Sequence, residues 1–178
     1  MRNTILTLGV LCLLAANVSA TVLVPTDLGE LARDAQVIAR GEVVAVESQW
    51  TEDRRTIETI VTLLPESYLK GQLGQTLRFR VPGGTLGRLR SVVIGAPRFA
   101  TGQRVIVFLG AAGPQIPHVL GLNQGVYRIG LSTAGDPLVS PPAVMPGVTG
   151  PIVRGAASRV PAPLADFERD VRALAAAR

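Results

Sequence analysis

The sequence predicts a mainly β protein, a small antiparallel barrel or sandwich of five to seven strands set between a leading and a terminal α-helix. Apolar residues alternate with period two in successive short runs between Val37 and Ile129. Turn-forming Gly, Pro, Asn and Asp separate those runs. Helical spacing of apolar residues occurs only at the two flanks.

Thr26 or Asp27 can cap the leading helix, the second with Glu30 in the capping-box position. Asp27 stands three residues before Glu30, and Leu28, Leu31, Ala32 and Ala35 then share one face. From Val37 to Trp50, the small side chains of Val37, Ala39, Gly41, Val43 and Ala45 alternate with Ile38, Arg40, Glu42, Val44 and Val46. A long strand follows, with its small-residue face suited to a tight interior and Gly41 placed for a bend. Glu52 to Arg55 form a polar hairpin tip, and Ile57, Thr59, Val61 and Leu63 build the second strand. Pro65 is expected to interrupt or bulge the pairing, since proline cannot donate a ladder hydrogen bond, and residues 66–71 to close the unit with a turn.

In the third strand Leu77, Phe79 and Val81 point one way and Arg78 and Arg80 the other, until Pro82-Gly83-Gly84 ends it. Two Gly/Pro-rich loops, 83–87 and 95–102, flank an expected strand over Arg88–Ile94. Arg104–Leu109 is apolar on both faces after its first residue, as a strand covered on both sides is. Short strands over Val119–Leu122 and Val126–Ile129 flank Asn123-Gln124-Gly125, a turn tolerant of positive φ. Residues 132–163 hold seven of the 13 prolines and are expected to form an extended linker. Leu164, Phe167, Val171 and Leu174 then recur at helical spacing, with Glu168 and Arg172 four apart, predicting an amphipathic C-terminal helix over 164–178 that needs an apolar surface to dock on.

Residues 1–20 read as a signal peptide: Arg2, an apolar run from Ile5 to Ala16, and Val18-Ser19-Ala20 as the cleavage site. The barrel domain is then expected over 21–131, exported to the periplasm or medium, with no transmembrane span in the mature form. Removing Arg2 leaves 17 basic and 13 acidic side chains, a mild excess. The one cysteine, Cys12, lies inside the signal run, which excludes a disulfide framework, a cysteine nucleophile and a thiolate metal site from the mature chain.

The stretch from Asp34 to Val44 (Asp-Ala-Gln-Val-Ile-Ala-Arg-Gly-Glu-Val-Val), followed by Tyr68-Leu69-Lys70-Gly71, resembles two groups of proteins. One is a set of uncharacterised secreted bacterial proteins that also carry segments like Val81-Pro82-Gly83-Gly84, Gly95-Ala96-Pro97-Arg98-Phe99 and Gly121-Leu122-Asn123-Gln124-Gly125. The other is the netrin-like module of tissue inhibitors of metalloproteinases. The second resemblance implies a five-stranded OB-like barrel that binds proteins outside the cell. The inhibitory chemistry of that family needs an N-terminal cysteine to chelate the target's zinc, and a mature chain beginning near Thr21 has none.

Catalytic sets are sparse. His118 is the single histidine, so no histidine metal pair is available within one chain, and no nucleophile elbow surrounds Ser91, Ser132 or Ser140. Gly83–Gly87 lacks the Lys-Ser/Thr ending of a phosphate loop. Glu42 and Glu58 are the carboxylates that could face each other across the first hairpin, which leaves an exported hydrolase using carboxylates as an alternative. The candidate binding residues are Arg78, Arg80, Arg88, Arg90 and Arg98, a possible cationic patch joined by Arg104. With few free aromatic rings to stack bases, nucleic acid is not the expected partner. The sequence thus predicts a non-catalytic module, without metal or cofactor, that binds another exported protein, with a polyanionic surface as a second class of partner. A protease-directed inhibitor or chaperone is the narrower alternative.

Overall fold

The computed structural model describes residues 26–111, 115–142 and 160–177. The signal peptide expected over 1–20 and most of the expected linker, 143–159, lie outside the described residues.

Helix α1 (Leu28–Asp34) begins as its sequence dictates. The Asp27 carboxylate accepts the Glu30 N–H at 2.6 Å, the Glu30 side chain reciprocates, and Leu31 and Ala32 are buried. The chain then enters β1 (Val37–Trp50), which turns back through the polar tip into β2 (Ile57–Lys70). Each strand of this hairpin has 14 residues, a span of about 45 Å. Pro65 does not end β2. It sits opposite Gly41 at a register shift, so the proline is absorbed as a bulge and the ladder runs on to Lys70, where a turn was expected. Gly41 makes that possible, because a Cβ there would lie 2.9 Å from the Pro65 Cα and collide with the Leu64 carbonyl.

Strand β3 (Leu77–Pro82) pairs antiparallel with β2 and buries Leu77, Phe79 and Val81, leaving Arg78 and Arg80 on the outer side. A small ribbon follows, β4 (Gly84–Leu86) with β5 (Leu89–Ser91), which shortens the strand expected over 88–94 to three residues. Strand β6 (Arg104–Gly110) is buried from Val105 to Gly110, the covered strand its composition predicts. It pairs with the first half of β1 on one edge. The other edge is shared: β8 (Val126–Leu131) takes Val105 to Val107, and β7 (His118–Val119) takes Leu109 and Gly110. Between β7 and β8 lies a 3-10 turn, Leu122–Gly125, with positive φ at Gly121 and Leu122 rather than at Asn123 or Gly125.

β7 also pairs in parallel with β3 through Arg80 and His118, so the order β1-β2-β3-β7-β6 returns to β1. This ring of five strands, thin at its β3–β7 seam, has the form of a partly open OB-like barrel, but the whole eight-stranded sheet is not a clean one. It continues past the ring through β8 to β9 (Pro137–Ser140) and β10 (Ala162–Pro163). The expected linker 132–163 therefore contributes two short strands among its described residues, because Val139 and its neighbours complete an edge that β8 leaves open. The ring itself, with five strands, falls within the five to seven expected for the barrel, and β8, β9 and β10 extend the sheet beyond it.

Two apolar cores result, one on each side of β1 and β6. Inside the ring, Val37, Ala39 and Val43 meet Phe79, Val105, Val107 and Leu109. Outside it, Ile38, Ile106 and Phe108 meet α1 and α2 (Leu164–Ala176), the terminal helix, through Leu31, Ala32, Phe167 and Val171. Tyr127 bridges the layers, its ring centroid 5.5 Å from Phe108 and 4.8 Å from Phe167. Thus the terminal helix docks on its own chain. Among the described residues, no helix is long and apolar enough to cross a membrane.

Candidate functional site

β6 covers β1 only from Val37 to Glu42, so the hairpin continues past the ring with Val44, Val46 and Trp50 exposed. Against this extension the chain folds back after β3. Gly83 and Gly84, at φ of +85° and +155°, turn it sharply. Each sits where a side chain would collide, Gly83 with the Ser91 carbonyl and Gly84 with the Ser48 and Thr59 hydroxyls. The Thr59 hydroxyl donates to the Gly83 carbonyl at 2.7 Å, and the Ser48 hydroxyl accepts the Thr85 N–H at 3.2 Å. These bonds clamp the β4–β5 ribbon to the hairpin.

Between ribbon, hairpin and the loop over 92–99 lies an open groove of about 490 Å³. Val46, Val81 and Phe99 contribute apolar wall, together with Val92, Val93, Ala96 and Pro97 from the loop itself. The loop is anchored from behind. The Asn123 N–H donates to the Gly95 carbonyl at 2.9 Å, the Arg128 guanidinium donates to the Arg98 carbonyl at 2.9 Å, and Phe99 meets the edge of Phe79 with ring centroids 5.4 Å apart. Among the described residues, two arginines, Arg90 and Arg98, line the groove and no carboxylate does. Among the described residues neither guanidinium makes an ion pair or a side-chain hydrogen bond, whereas Arg40, Arg104, Arg169 and Arg172 are all matched with acids.

Of the five candidate arginines, then, the fold brings Arg90 and Arg98 to one groove. Arg88 stands exposed at the ribbon turn and Arg78 on the outer side of β3, opposite Thr62. Arg80 faces different surroundings. It lines a shallow depression of about 330 Å³ with Glu52, Asp53 and Glu58, and donates to the Gln115 side chain at 2.7 Å. There the Thr51 hydroxyl, and after it the Arg55 N–H, hold the Asp53 carboxyl below its ordinary range.

Arg104 is drawn away from any patch into an ion network. It grips Glu66 through two hydrogen bonds, at 2.9 and 2.6 Å. Arg40 stands between Glu66, at 3.1 Å from Nε, and Glu168 of α2, at 2.6 Å from Nη1, and Arg172 reaches Glu168 at 3.1 Å. Arg40 Nε is close enough to Glu66 for ionic attraction but out of line for a hydrogen bond. The Arg104 hydrogen bonds, aided by the charges of Arg104 and Arg40 against a smaller burial penalty, hold the Glu66 carboxyl below its ordinary range, and Glu66 in return raises Arg104.

The carboxylate pair is not formed. The register sets Glu42 opposite Leu64 and Glu58 opposite Gln49, which is seven residues further along β1, about 23 Å. Among the described residues no three His, Cys, Asp or Glu side chains converge as a metal site would require. His118 is exposed on β7 and does not line the groove. Sequence reasoning missed the groove itself. Its trace was the exposed apolar run Val92-Val93-Ile94 between two Gly/Pro-rich loops, which reads equally well as a strand until the ribbon is seen to stop at Ser91. Compared with known proteins, the chain matches no family model, no curated protein and no solved structure.

Proposed function

We propose that the protein is an exported, non-catalytic module that binds another protein through the open groove face. The observation that carries this is the apolar lining of the groove: Val92, 65% exposed, and Val93, 39% exposed, stand with Ala96, Pro97 and Phe99 against Val46 and Val81 of the strands. Solvent-facing apolar groups grouped on one face favour burial against a partner, since each large side chain removed from water contributes about 1.5–3 kcal/mol before the entropic costs of association. The anchoring of the 92–99 loop by Asn123, Arg128 and Phe79 holds the face in shape before binding, which lowers those costs.

The test is affinity capture from the native exported fraction at low salt, wild type beside a variant in which Val92 and Val93 are both serine. The wild type is expected to retain a defined partner and the variant to lose it. A wild type that retains no partner would overturn the reading.

A further inference from the structure

We infer that the groove takes an extended peptide segment of its partner in which apolar side chains alternate with carboxylates, and that Arg90 and Arg98 are the residues that select it. This inference rests on the protein-binding reading and names its ligand chemistry. The lining includes two arginines among apolar side chains and, among the described residues, no carboxylate. Among the described residues, the arginines that join the hairpin to its neighbours are matched internally: Arg40 and Arg172 with Glu168, Arg104 with Glu66. Guanidinium groups left without an internal acid beside an apolar wall favour a ligand that supplies the carboxylates itself. The groove is open and bounded on one side by the extended hairpin. Its volume of about 490 Å³ suits a few residues of extended chain rather than a folded element. A covering segment of this chain is disfavoured by charge, because residues 143–159 contain two arginines and no acid.

The affinity term follows from the same geometry. Carboxylate–guanidinium hydrogen bonds are charge-assisted, and with both arginines exposed the loss of the two pairs together weakens binding by roughly tenfold. Screening between partly exposed charges makes the binding fall with ionic strength, while the apolar contacts persist.

Fluorescence anisotropy with a labelled peptide of three valine–glutamate repeats flanked by Gly-Ser tests this on the full mature protein, beside the same peptide with glutamine for glutamate. The glutamate probe is expected to bind, the glutamine probe to bind about tenfold more weakly. Arg90→Gln/Arg98→Gln is expected to abolish that difference. Both arginines are surface residues, so an unchanged thermal melt identifies the variant as folded, and Arg78→Gln/Arg88→Gln serves as a control of equal charge outside the groove. Equal binding of the two probes by wild type, or an unchanged glutamate titration in Arg90→Gln/Arg98→Gln, overturns the inference. The broader reading fails separately, when wild type captures no native partner. If a native partner is retained equally by wild type and by Arg90→Gln/Arg98→Gln, the selection by the two arginines falls while the protein-binding reading stands.

Discussion

At Arg40 one guanidinium joins the hairpin to the terminal helix, because Glu66 comes from β2 and Glu168 from α2. Its side chain is 21% exposed, so the pairing is stronger than an open surface bridge yet still screened. Glu66 makes the network sensitive to acid. A carboxyl whose folded pKa is lowered stabilises the fold fully above its ordinary value of 4.5, and that contribution is lost as pH falls through the lowered folded value. Glu66→Gln is therefore expected to flatten the fall of Tm below about pH 4.5 and to lower Tm at neutral pH, as read by thermal melts across pH 3 to 7. A variant whose Tm falls with acid as steeply as wild type would contradict this. Gly41 gives a second residue-level prediction. Gly41→Ala drives a methyl into the Leu64 carbonyl and Pro65, backbone that cannot swing aside, and should cost about 3 kcal/mol in chemical denaturation. By contrast Gly74→Ala, with open space around its Cβ but φ of +101°, carries only the backbone strain.

Among the elements, α2 has the least local support. Pro163 at its N-cap supplies no side-chain hydrogen bond, and an isolated helix of 13 residues is marginal in water. Packing of Leu164, Phe167 and Val171 on the outer core holds it. Phe167→Ala should cost about 3–5 kcal/mol, and Val171→Asp, which buries an unpaired carboxylate, at least as much, each read as a lower midpoint in chemical denaturation. Helix α1 is better provided. Beyond its capping box, the single lysine of the chain, Lys70, donates to the Ala32 and Arg33 carbonyls at 2.8 Å and caps its last turn. Lys70→Met keeps the stem but leaves those carbonyls without this donor, and should lower stability by about 1 kcal/mol.

For the whole molecule, the two cores share β1 and β6, so neither can melt without exposing the other. Unfolding should follow one cooperative transition, with far-UV circular dichroism and near-UV signal from the Tyr127 cluster giving the same midpoint. Separate midpoints would show that the outer helical layer unfolds independently of the ring.

Much of this was legible in the chain. The 14-residue first strand, the inward Leu77-Phe79-Val81 face, the covered strand after Arg104 and both helices all follow from periods of two or 3.6, which encode how many faces of an element meet water. Local chemistry likewise set the Asp27 cap. What the tertiary structure decided is who meets whom. Pro65 continues a strand because Gly41, 24 positions earlier, gives it room; β7 and β8 divide one edge of β6 instead of pairing with each other; Val139 finds a strand partner in a stretch whose prolines predict none. The same holds for the arginines. Composition gives their number, but only folding separates Arg104, matched with Glu66, from Arg90 and Arg98, which face a groove. Periodicity is a property of neighbours along the chain, whereas pairing partners, matched charges and cavities depend on segments distant in sequence, whose meeting is fixed by the packing of the whole.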